Sequence, residues 1–276
     1  MDLKALLEAR FGVDLGLEAS PHLTPELARI LARRTHRKYT DAQVPTALID
    51  LLLAVALSAS AKSDFQQASV IKVGDAVTRS RIAQHFPAMP WIGVAPIFLV
   101  FCGDARRLER ICSQRGHPQP NRDLEAFLNA SVDAALVLQT FILAAESVGL
   151  GCCPISVIRN QMETVAAALA LPDGVFPVAG LCVGYPASGG YVSLRLPPSV
   201  TVHCDRYDDS ALEQKIDDYD RRRDARHAIA REQQRNPQRF GYADFYGWSE
   251  DKARQAAQPE GAAFALHIKT HGFTFV

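Results

Sequence analysis

The sequence lacks the features that mark secreted and nucleic-acid-binding proteins. Its 276 residues include 30 basic and 30 acidic side chains, so no overall charge draws the chain to nucleic acid or to an anionic membrane. The first residues, MDLKALLEARFGVDLG, alternate apolar and charged positions and show neither the apolar core nor the cleavage site of a secretory signal. We therefore expect a cytoplasmic protein with no nucleic-acid or membrane partner, in which any bound anion is held locally.

A long, uninterrupted hydrophobic run is also missing. The most apolar stretch, ASVDAALVLQTFILAAESV at 130–148, contains Asp133, Gln139 and Glu146 and is not closely flanked by basic residues. This pattern predicts a buried helix rather than a membrane span.

The cysteines form no C-x-x-C pair and have no histidine at the spacing of a zinc site. They are Cys102, Cys112, Cys152, Cys153, Cys182 and Cys204. Cys102 and Cys182 lie in apolar, strand-like runs, where a free thiol behaves as a small hydrophobic side chain. The adjacent Cys152 and Cys153 would form a disulfide only under strain. We predict structural thiols, with no metal site and no redox pair.

Several common enzyme signatures are absent as well. The sequence has no G-x-G-x-x-G motif after a strand and no G-x-x-x-x-G-K-[ST] motif, so neither a Rossmann dinucleotide site nor a P-loop is supported. It also has no H-E-x-x-H zinc motif and no G-x-S-x-G nucleophile elbow.

Helical and strand-like patterns are mixed along the chain. The predicted strands are 68–73, 95–102 and 177–184, which are rich in Val, Ile and Phe and have Gly or Pro near their ends. The predicted helices start at Thr24–Pro25, at Pro45, at 124 and at Asn160, the last with Glu163 in a capping box and ending before Pro172. Such a mixture is typical of α+β or α/β folds with a layered core.

The most concentrated positive charge, RRTHRKY at 33–39, falls in the predicted turn between the first two of these helices. Two arginines, a hydroxyl and a third arginine can surround a phosphate with charge-assisted hydrogen bonds of about 1.5–3 kcal/mol each. The same residues are equally suited to a solvated helix end, where cations favour the negative end of the helix dipole. Residue chemistry alone leaves both interpretations open.

The composition changes at 205, where YDDSALEQKIDDYDRRRDARHAIAREQQR is strongly charged and lacks the apolar stripe of a core helix. Ser210 and Glu213 form a second predicted capping box. We predict a helix that lies on the surface or bridges two subunits. The aromatic and apolar residues that follow predict a chain end that docks on a folded body.

Three further segments accompany the basic one. The four are RRTHRKY at 33–39, SASAKSDFQQASVIKV at 58–73, AAESVGLGCCPISVI at 144–158 and VGYPASGGYVSLRLP at 183–197. In this order and at these spacings they resemble the nitroreductase family of FMN-dependent NAD(P)H oxidoreductases. The tail resembles the C-terminal extension of the flavin-reductase-like subgroup.

The resemblance assigns twelve residues to FMN. They are Arg33, Arg34, Thr35, Arg37, Lys62, Ser63, Asp64, Gln66, Pro154, Ile155, Ser156 and Arg195. It places the first four and Arg195 on the phosphate, with His36 and Lys38 facing elsewhere. A cation at Lys62 suits the negative charge that gathers on a reduced flavin ring.

The resemblance also implies a fold and a mechanism. It implies an α+β, nitroreductase-like fold with a mixed, mainly antiparallel sheet flanked by helices, in an intertwined homodimer with FMN at two interface sites. The implied domains are 1–204, which binds FMN, and a C-terminal helical extension at 205–276 on the same or the partner subunit. NADH or NADPH reduces FMN in a ping-pong hydride transfer, and a nitroaromatic, quinone or flavin acceptor follows. Flavin N5 carries the chemistry, so no catalytic side chain is assigned.

This chain departs from the family pattern at several positions. Thr35 replaces a serine and keeps the hydroxyl, whereas Lys62, Asp64, Ser156 and Ser193 replace residues of different character. Two alternatives therefore stay open: an FMN-binding protein without NAD(P)H turnover, and a specialised flavin oxidase or dehydrogenase of the same fold. The run of arginines at 221–223 is interpreted as a solvated helix face, with the 2′-phosphate of NADPH as the alternative ligand.

Overall fold

The computed structural model describes residues 2–17 and 23–275. In these ranges the α-helices are α1 (Leu3–Phe11), α2 (Pro25–Leu31), α3 (Thr46–Ala56), α4 (Ala76–Ala83), α5 (Trp91–Val94), α6 (Arg106–Gln114), α7 (Leu124–Ser147), α8 (Met162–Ala168), α9 (Pro198–Thr201), α10 (Leu212–His227), α11 (Pro237–Phe240), α12 (Trp248–Ala256) and α13 (Ala262–Thr270). The strands are β1 (Ala68–Lys72), β2 (Ile97–Asp104), β3 (Gly151–Ile155) and β4 (Val175–Gly184). Short 3-10 turns occupy Lys62–Asp64, Ser156–Gln161 and Arg231–Gln233.

The strands form one sheet in the order β1-β2-β4-β3, and every neighbouring pair is antiparallel. The α+β class and the mainly antiparallel sheet are confirmed, and the four strands of the described chain contain no parallel pair that would make the sheet mixed. The three predicted strands correspond to β1, β2 and β4. The fourth, β3, lies at the edge next to β4.

The sheet is buried on both faces because successive side chains of a strand point to opposite sides. Leu99 and Phe101 of β2 join a cluster with α3 and α7, while Phe98 and Val100 join a second cluster with α4 and α8. Burial of each such side chain stabilises the fold by about 1.5–3 kcal/mol. Phe101 also meets Phe141 of α7 edge to face, with ring centroids 5.9 Å apart.

Helix α7 is capped at its start, because the Asp123 carboxylate accepts hydrogen bonds from the backbone N–H groups of Glu125 and Ala126. It meets the length and composition of a membrane span. Its inward side, which includes Ala134 and Phe141, is buried against the sheet and α3. The predicted helix is present, and burial is confirmed for this inward side, whereas Leu128, Val132 and Leu136 on the opposite side are exposed in the single chain.

Both predicted capping boxes are wrong. Asn160 lies within the 3-10 turn Ser156–Gln161, so α8 starts only at Met162 and has no side-chain cap. The Glu163 carboxylate instead lies 3.0 Å from Nδ1 of His267. Ser210 donates its N–H to Asp208, in a turn that precedes α10, which also has no side-chain cap.

The described chain divides into two compact units. One comprises residues up to Arg33 together with 191–260, and the other comprises 34–190 together with 261 onwards. In the second unit, Phe264 and Phe273 pack with Phe127 and Phe176 in an aromatic cluster. The predicted docking of the chain end is confirmed, whereas a division at 204 and 205 stays a prediction.

In the first unit, α10 is held by two buried residues. Tyr219 is 1% exposed and its ring meets Trp248 edge to face at 5.3 Å. The buried carboxylate of Asp220 accepts the backbone N–H of Ser249 at 3.0 Å. Most other side chains of α10 are exposed or half-buried, as its charged composition predicts.

Candidate functional site

The basic segment lies between α2 and α3, as predicted, and its second half is fixed to the sheet by backbone hydrogen bonds. The N–H of His36 donates to the carbonyl of Cys152 in β3 at 3.1 Å, and the N–H of Thr40 donates to Tyr185 at 2.9 Å. The carbonyl of Lys38 accepts from Ala187 at 3.0 Å. The second half of the basic segment therefore follows a defined path along β3 and the end of β4.

Three side chains show how this segment is packed. Arg34 donates from Nη1 to the carbonyl of Gly189 at 2.9 Å and lines a cavity of about 480 Å³ with His36 and 186–189. The exposed guanidinium of Arg37 lies 5.5 Å from the ring centroid of Trp91. This distance allows a cation–π attraction that keeps the charge near the segment.

The side chain of Tyr39 links the basic segment to strand β4. Its hydroxyl lies 2.6 Å from the carbonyl of His36 and 3.1 Å from that of Cys182. Burial raises the pKa of Tyr39, so the hydroxyl stays protonated and acts only as a hydrogen-bond donor and packing group.

Two of the predicted phosphate residues, Arg33 and Arg195, belong to the first unit. There the buried side chain of Arg10 donates to the carbonyls of Leu31 and Ser193, each at 2.9 Å, and to that of Arg33. The carbonyl of Arg10 accepts the N–H of Arg195 at 2.8 Å. Sequence reasoning missed Arg10, because nothing in its local pattern shows that α1 turns this side chain inward.

Ser193 occupies the position where the resemblance expects a basic residue. Its hydroxyl accepts a hydrogen bond from Nη1 of Arg195 at 2.9 Å. The serine therefore removes the positive charge expected at position 193 and supports the guanidinium of Arg195.

The loop that precedes β1 is strained. Ser63, Asp64 and Gln66 have φ of 49°, 57° and 52°, and these are three of the six non-glycine residues with positive φ in the described ranges. Each such residue costs on the order of 1–3 kcal/mol and persists where its surroundings over-determine it, often at a functional site. The exposed side chain of Gln66 donates to Asp64 at 3.0 Å.

Gln67, next to the predicted Gln66, is a residue that sequence reasoning missed. It is 2% exposed, and its Oε1 is buried with no hydrogen-bond partner in the described chain. Together with Lys62 and Ser63 it lines a cavity of about 520 Å³. A buried acceptor without a partner costs about 1–3 kcal/mol, so a donor is expected there.

The third segment is β3 and the turn after it. Pro154 and Ser156 are exposed, whereas Ile155 is buried in the sheet. Gly151 starts the strand, and a Cβ there would lie 2.8 Å from the Cβ of His36 and from Pro186. Only glycine allows the basic segment to approach β3 this closely.

The sheet joins the first and third segments and separates both from the second. His36 contacts β3 directly, whereas β1, which follows the loop, is at the opposite edge behind β2 and β4. Three strand spacings amount to roughly 14 Å. Within one chain, the predicted flavin residues therefore form at least two separate groups.

Comparison with known proteins now decides the family. Residues 30–185 match the nitroreductase family, and residues 193–276 match its C-terminal domain.

The chain belongs to the nitroreductase family.

Two relatives of this chain carry names that state an activity. It is 36% identical over 177 residues to the FMN reductase (NAD(P)H) of Bacillus subtilis strain 168. The aligned region covers 63% of this chain and 71% of the relative. It is 34% identical over 195 residues to the oxygen-insensitive NADPH nitroreductase of Salmonella typhimurium, which covers 70% and 78%.

Solved structures agree with the fold. NfrA2 of B. megaterium matches with a TM-score of 0.81 and 30% identity over 92% of this chain and 100% of that one. The NADPH:FMN oxidoreductase of Vibrio harveyi, complexed with NAD+, matches with a TM-score of 0.77 and 27% identity over 91% and 99%. The nitroreductase-like fold is therefore confirmed, while the roles of the twelve individual residues stay predictions.

Four of the six cysteines are buried, as predicted for structural thiols, whereas Cys112 is half-buried and Cys204 is exposed. Cys102, Cys152, Cys153 and Cys182 are buried, and all six cysteines of the described chain are free thiols. Burial raises the pKa of Cys102 and that of Cys182 to about 12. Both stay protonated near neutral pH, which suits packing and not nucleophilic or redox chemistry.

Proposed function

We propose that this chain is an FMN-dependent oxidoreductase that accepts a hydride from NADH or NADPH and passes it to a nitroaromatic, quinone or flavin acceptor. The observation that carries the proposal is the attachment of the basic segment to β3 through His36 and Gly151, in a chain whose relatives are named as FMN reductases and nitroreductases. This attachment supports the proposal because it brings residues predicted to bind the phosphate next to the strand that contains Pro154 and Ile155, which are predicted to bind FMN.

The residues present are suited to FMN. Arg34, Thr35 and Arg37 offer charge-assisted hydrogen bonds to the phosphate. The unpartnered Oε1 of Gln67 needs a donor, which the flavin ring and the ribityl hydroxyls both offer. Exposed Pro154 offers an apolar surface on which an aromatic ring can rest.

When bound, FMN supplies hydride acceptance and donation at N5. The chain's own residues bind and orient. The arginines would hold the phosphate, the 62–67 loop would bind the ring and the ribityl chain, and Lys62 would contribute a positive charge. No side chain is required to move a proton in this proposal.

The proposal includes a homodimer, with a second copy of this chain covering the outer face of α7. Leu128, Val132 and Leu136 stand four residues apart on that face and are 51%, 46% and 40% exposed. A contiguous apolar stripe of this kind is typical of an interface. A dimer also offers a way to unite the 62–67 loop of one copy with the basic segment and β3 of the other.

A small-molecule acceptor and a cytoplasmic location complete the proposal. Six free thiols in the described chain suit a reducing compartment, because disulfides form mainly in oxidising ones.

The arginine run of α10 has a simpler role in this proposal. Arg221 lies 3.0 Å from Asp218, and both side chains are largely exposed. Arg223 donates to the hydroxyl of Tyr219 at 3.4 Å. These contacts support a solvated helix face, so we assign no NADPH contact to 221–223.

An anaerobic titration of the purified protein with NADH and NADPH, followed by flavin absorbance, tests the proposed function. We expect a yellow protein whose absorbance is bleached by at least one of the two nucleotides and restored by an acceptor. A colourless protein that takes up no added FMN contradicts the proposal. Bound FMN that neither nucleotide reduces indicates a flavin-binding protein, and oxygen consumption without NAD(P)H indicates an oxidase.

A further inference from the structure

Asp133 is the one charged residue among the buried residues on the inward side of helix α7, where the other buried side chains are apolar. It is 1% exposed. Its Oδ1 accepts the backbone N–H of Lys62 at 2.9 Å, and its Oδ2 accepts the backbone N–H of Gln67 at 2.9 Å. A buried carboxylate is unfavourable unless it is hydrogen-bonded, and here both oxygens have a partner.

The two N–H groups bracket the strained loop. Between Lys62 and Gln67 lie the three left-handed residues Ser63, Asp64 and Gln66. Residues other than glycine disfavour this conformation because of their Cβ atoms, so the loop needs contacts with other segments to keep it. Asp133 provides such a contact at both ends of the loop.

A second side chain holds the carbonyl groups at the exit of the loop. Arg107, at the start of α6, donates to the carbonyl of Gln66 and, at 3.0 Å, to that of Ala68. Its guanidinium also donates to Asp104 at 3.0 Å, which fixes its position. Asp133 of α7 thus accepts hydrogen bonds from backbone N–H groups at the two ends of the loop, and Arg107 of α6 donates to backbone carbonyls at its exit.

We propose that Asp133 is a positioning residue for FMN. Asp133 holds the 62–67 loop so that Lys62, Ser63 and Gln67 face the cofactor. The inference rests on the proposed function, since it takes the loop to be a flavin-binding element. Asp133 acts through the backbone of the loop and does not touch the cofactor. Arg107 supports the same conformation.

The Asp133→Asn variant tests this role. Asparagine keeps the volume and one acceptor, but its amide NH₂ then faces a backbone N–H, so one of the two contacts is lost. In the apo protein, we expect hydrogen exchange at the amides of 62–67 to accelerate at least tenfold. In the holoprotein, we expect the FMN dissociation constant to rise at least tenfold.

Asp220→Asn is the matched control. Asp220 is also a buried carboxylate on a helix, 4% exposed, and it accepts a backbone N–H from Ser249 at 3.0 Å. We expect this variant to lower the melting temperature and to leave both exchange at 62–67 and the FMN dissociation constant unchanged. Equal losses of FMN affinity in the two variants reduce Asp133 to a general stabilising residue and overturn the proposal.

Two further outcomes are decisive. Wild-type FMN affinity in Asp133→Asn overturns the proposal, whether or not exchange accelerates. If that variant does not fold, Arg107→Met replaces it, because its side chain is 42% exposed and its loss is better tolerated. The same tenfold changes are then expected, and their absence overturns the proposal.

Failure of the proposed function is recognised separately. A wild-type protein that binds no FMN contradicts the proposed function directly. The exchange measurement on the apo protein still shows whether Asp133 holds the loop.

Discussion

At the scale of single residues, Arg37 and Lys38 are neighbours with the same charge, and both are exposed. Only Arg37 is assigned to the phosphate, and its guanidinium lies near the ring of Trp91. A planar guanidinium also matches a phosphate better than an ammonium group does. The difference between these two residues is therefore one of placement and geometry, not of charge.

Replacing Arg37 by Ala should weaken FMN binding about 10- to 150-fold. This range corresponds to the loss of one charge-assisted hydrogen bond of about 1.5–3 kcal/mol. Fluorescence titration of the apo protein with FMN measures it, and Lys38→Ala is the control that should bind as the wild type does. Unchanged affinity in Arg37→Ala would place Arg37 outside the phosphate site.

The sequence predicts residues that form short motifs and misses those that act over a distance. The basic segment was recognisable because its arginines are adjacent. Arg10, Gln67 and Asp133 were not assigned to the site, because their partners lie far away in the sequence or because burial alone distinguishes them from a neighbour. Contacts of this kind become visible only when the fold is known.

At the scale of elements, the long apolar runs predicted β1, β2, β4 and α7 well. The residue pattern alone did not predict strand β3, because GCCPI contains a glycine and a proline, which weaken strand patterns. Its position at the sheet edge explains why proline is tolerated there. The start of α8 was misplaced because a 3-10 turn delays it by two residues beyond the expected cap.

Helix α7 has two apolar sides, only one of which is covered in a single chain. If the chain forms the proposed dimer, we expect Val132→Asp to convert it to a monomer, because the substitution places a charge in the centre of the proposed interface. Size-exclusion chromatography with light scattering measures the mass. Val77→Asp is the control, since Val77 is 59% exposed on α4, outside the proposed interface. A dimeric Val132→Asp protein would show that another surface joins the copies.

We expect the contact between Glu163 of α8 and His267 of α13 to depend on pH. A hydrogen bond from His267 lowers the pKa of Glu163 from its ordinary value of 4.5. The contact therefore contributes stability above about pH 4.5 and loses it as the pH falls through the lowered pKa.

Hydrogen exchange of α13 at a series of pH values checks this expectation, after correction for the intrinsic rates. Protection at 262–270 should fall on acidification, and Glu163→Gln should remove most of that change. His271, which stacks on His267 with ring centroids 3.9 Å apart, is present in both proteins and serves as the common background. An identical pH profile in the variant would mean that the pair does not secure α13.

At the scale of the whole molecule, the separation of β1 from β3 makes a prediction about shared sites. Consider a heterodimer of one Arg37→Ala chain and one Asp133→Asn chain, in which each site takes its basic segment from one copy and its 62–67 loop from the other. One site then contains both defects, and the other site contains neither. One of the two sites is then intact.

Co-expression of the two variants with different affinity tags tests this arrangement. The isolated heterodimer should retain about half the wild-type FMN content at a concentration where each homodimeric variant is largely empty. If each site is built from a single chain, every site carries one defect and the heterodimer binds as poorly as the parents. Flavin absorbance per protein mass distinguishes the two results.

The path of the basic segment also affects solubility. An edge strand presents unpaired N–H and carbonyl groups on which another chain can add a strand, and this leads to aggregation. The outward carbonyl of Cys152 in β3 is already occupied by the N–H of His36, and Pro154 has no N–H to offer. We therefore expect the segment assigned to phosphate also to hinder the joining of sheets from separate molecules along this edge.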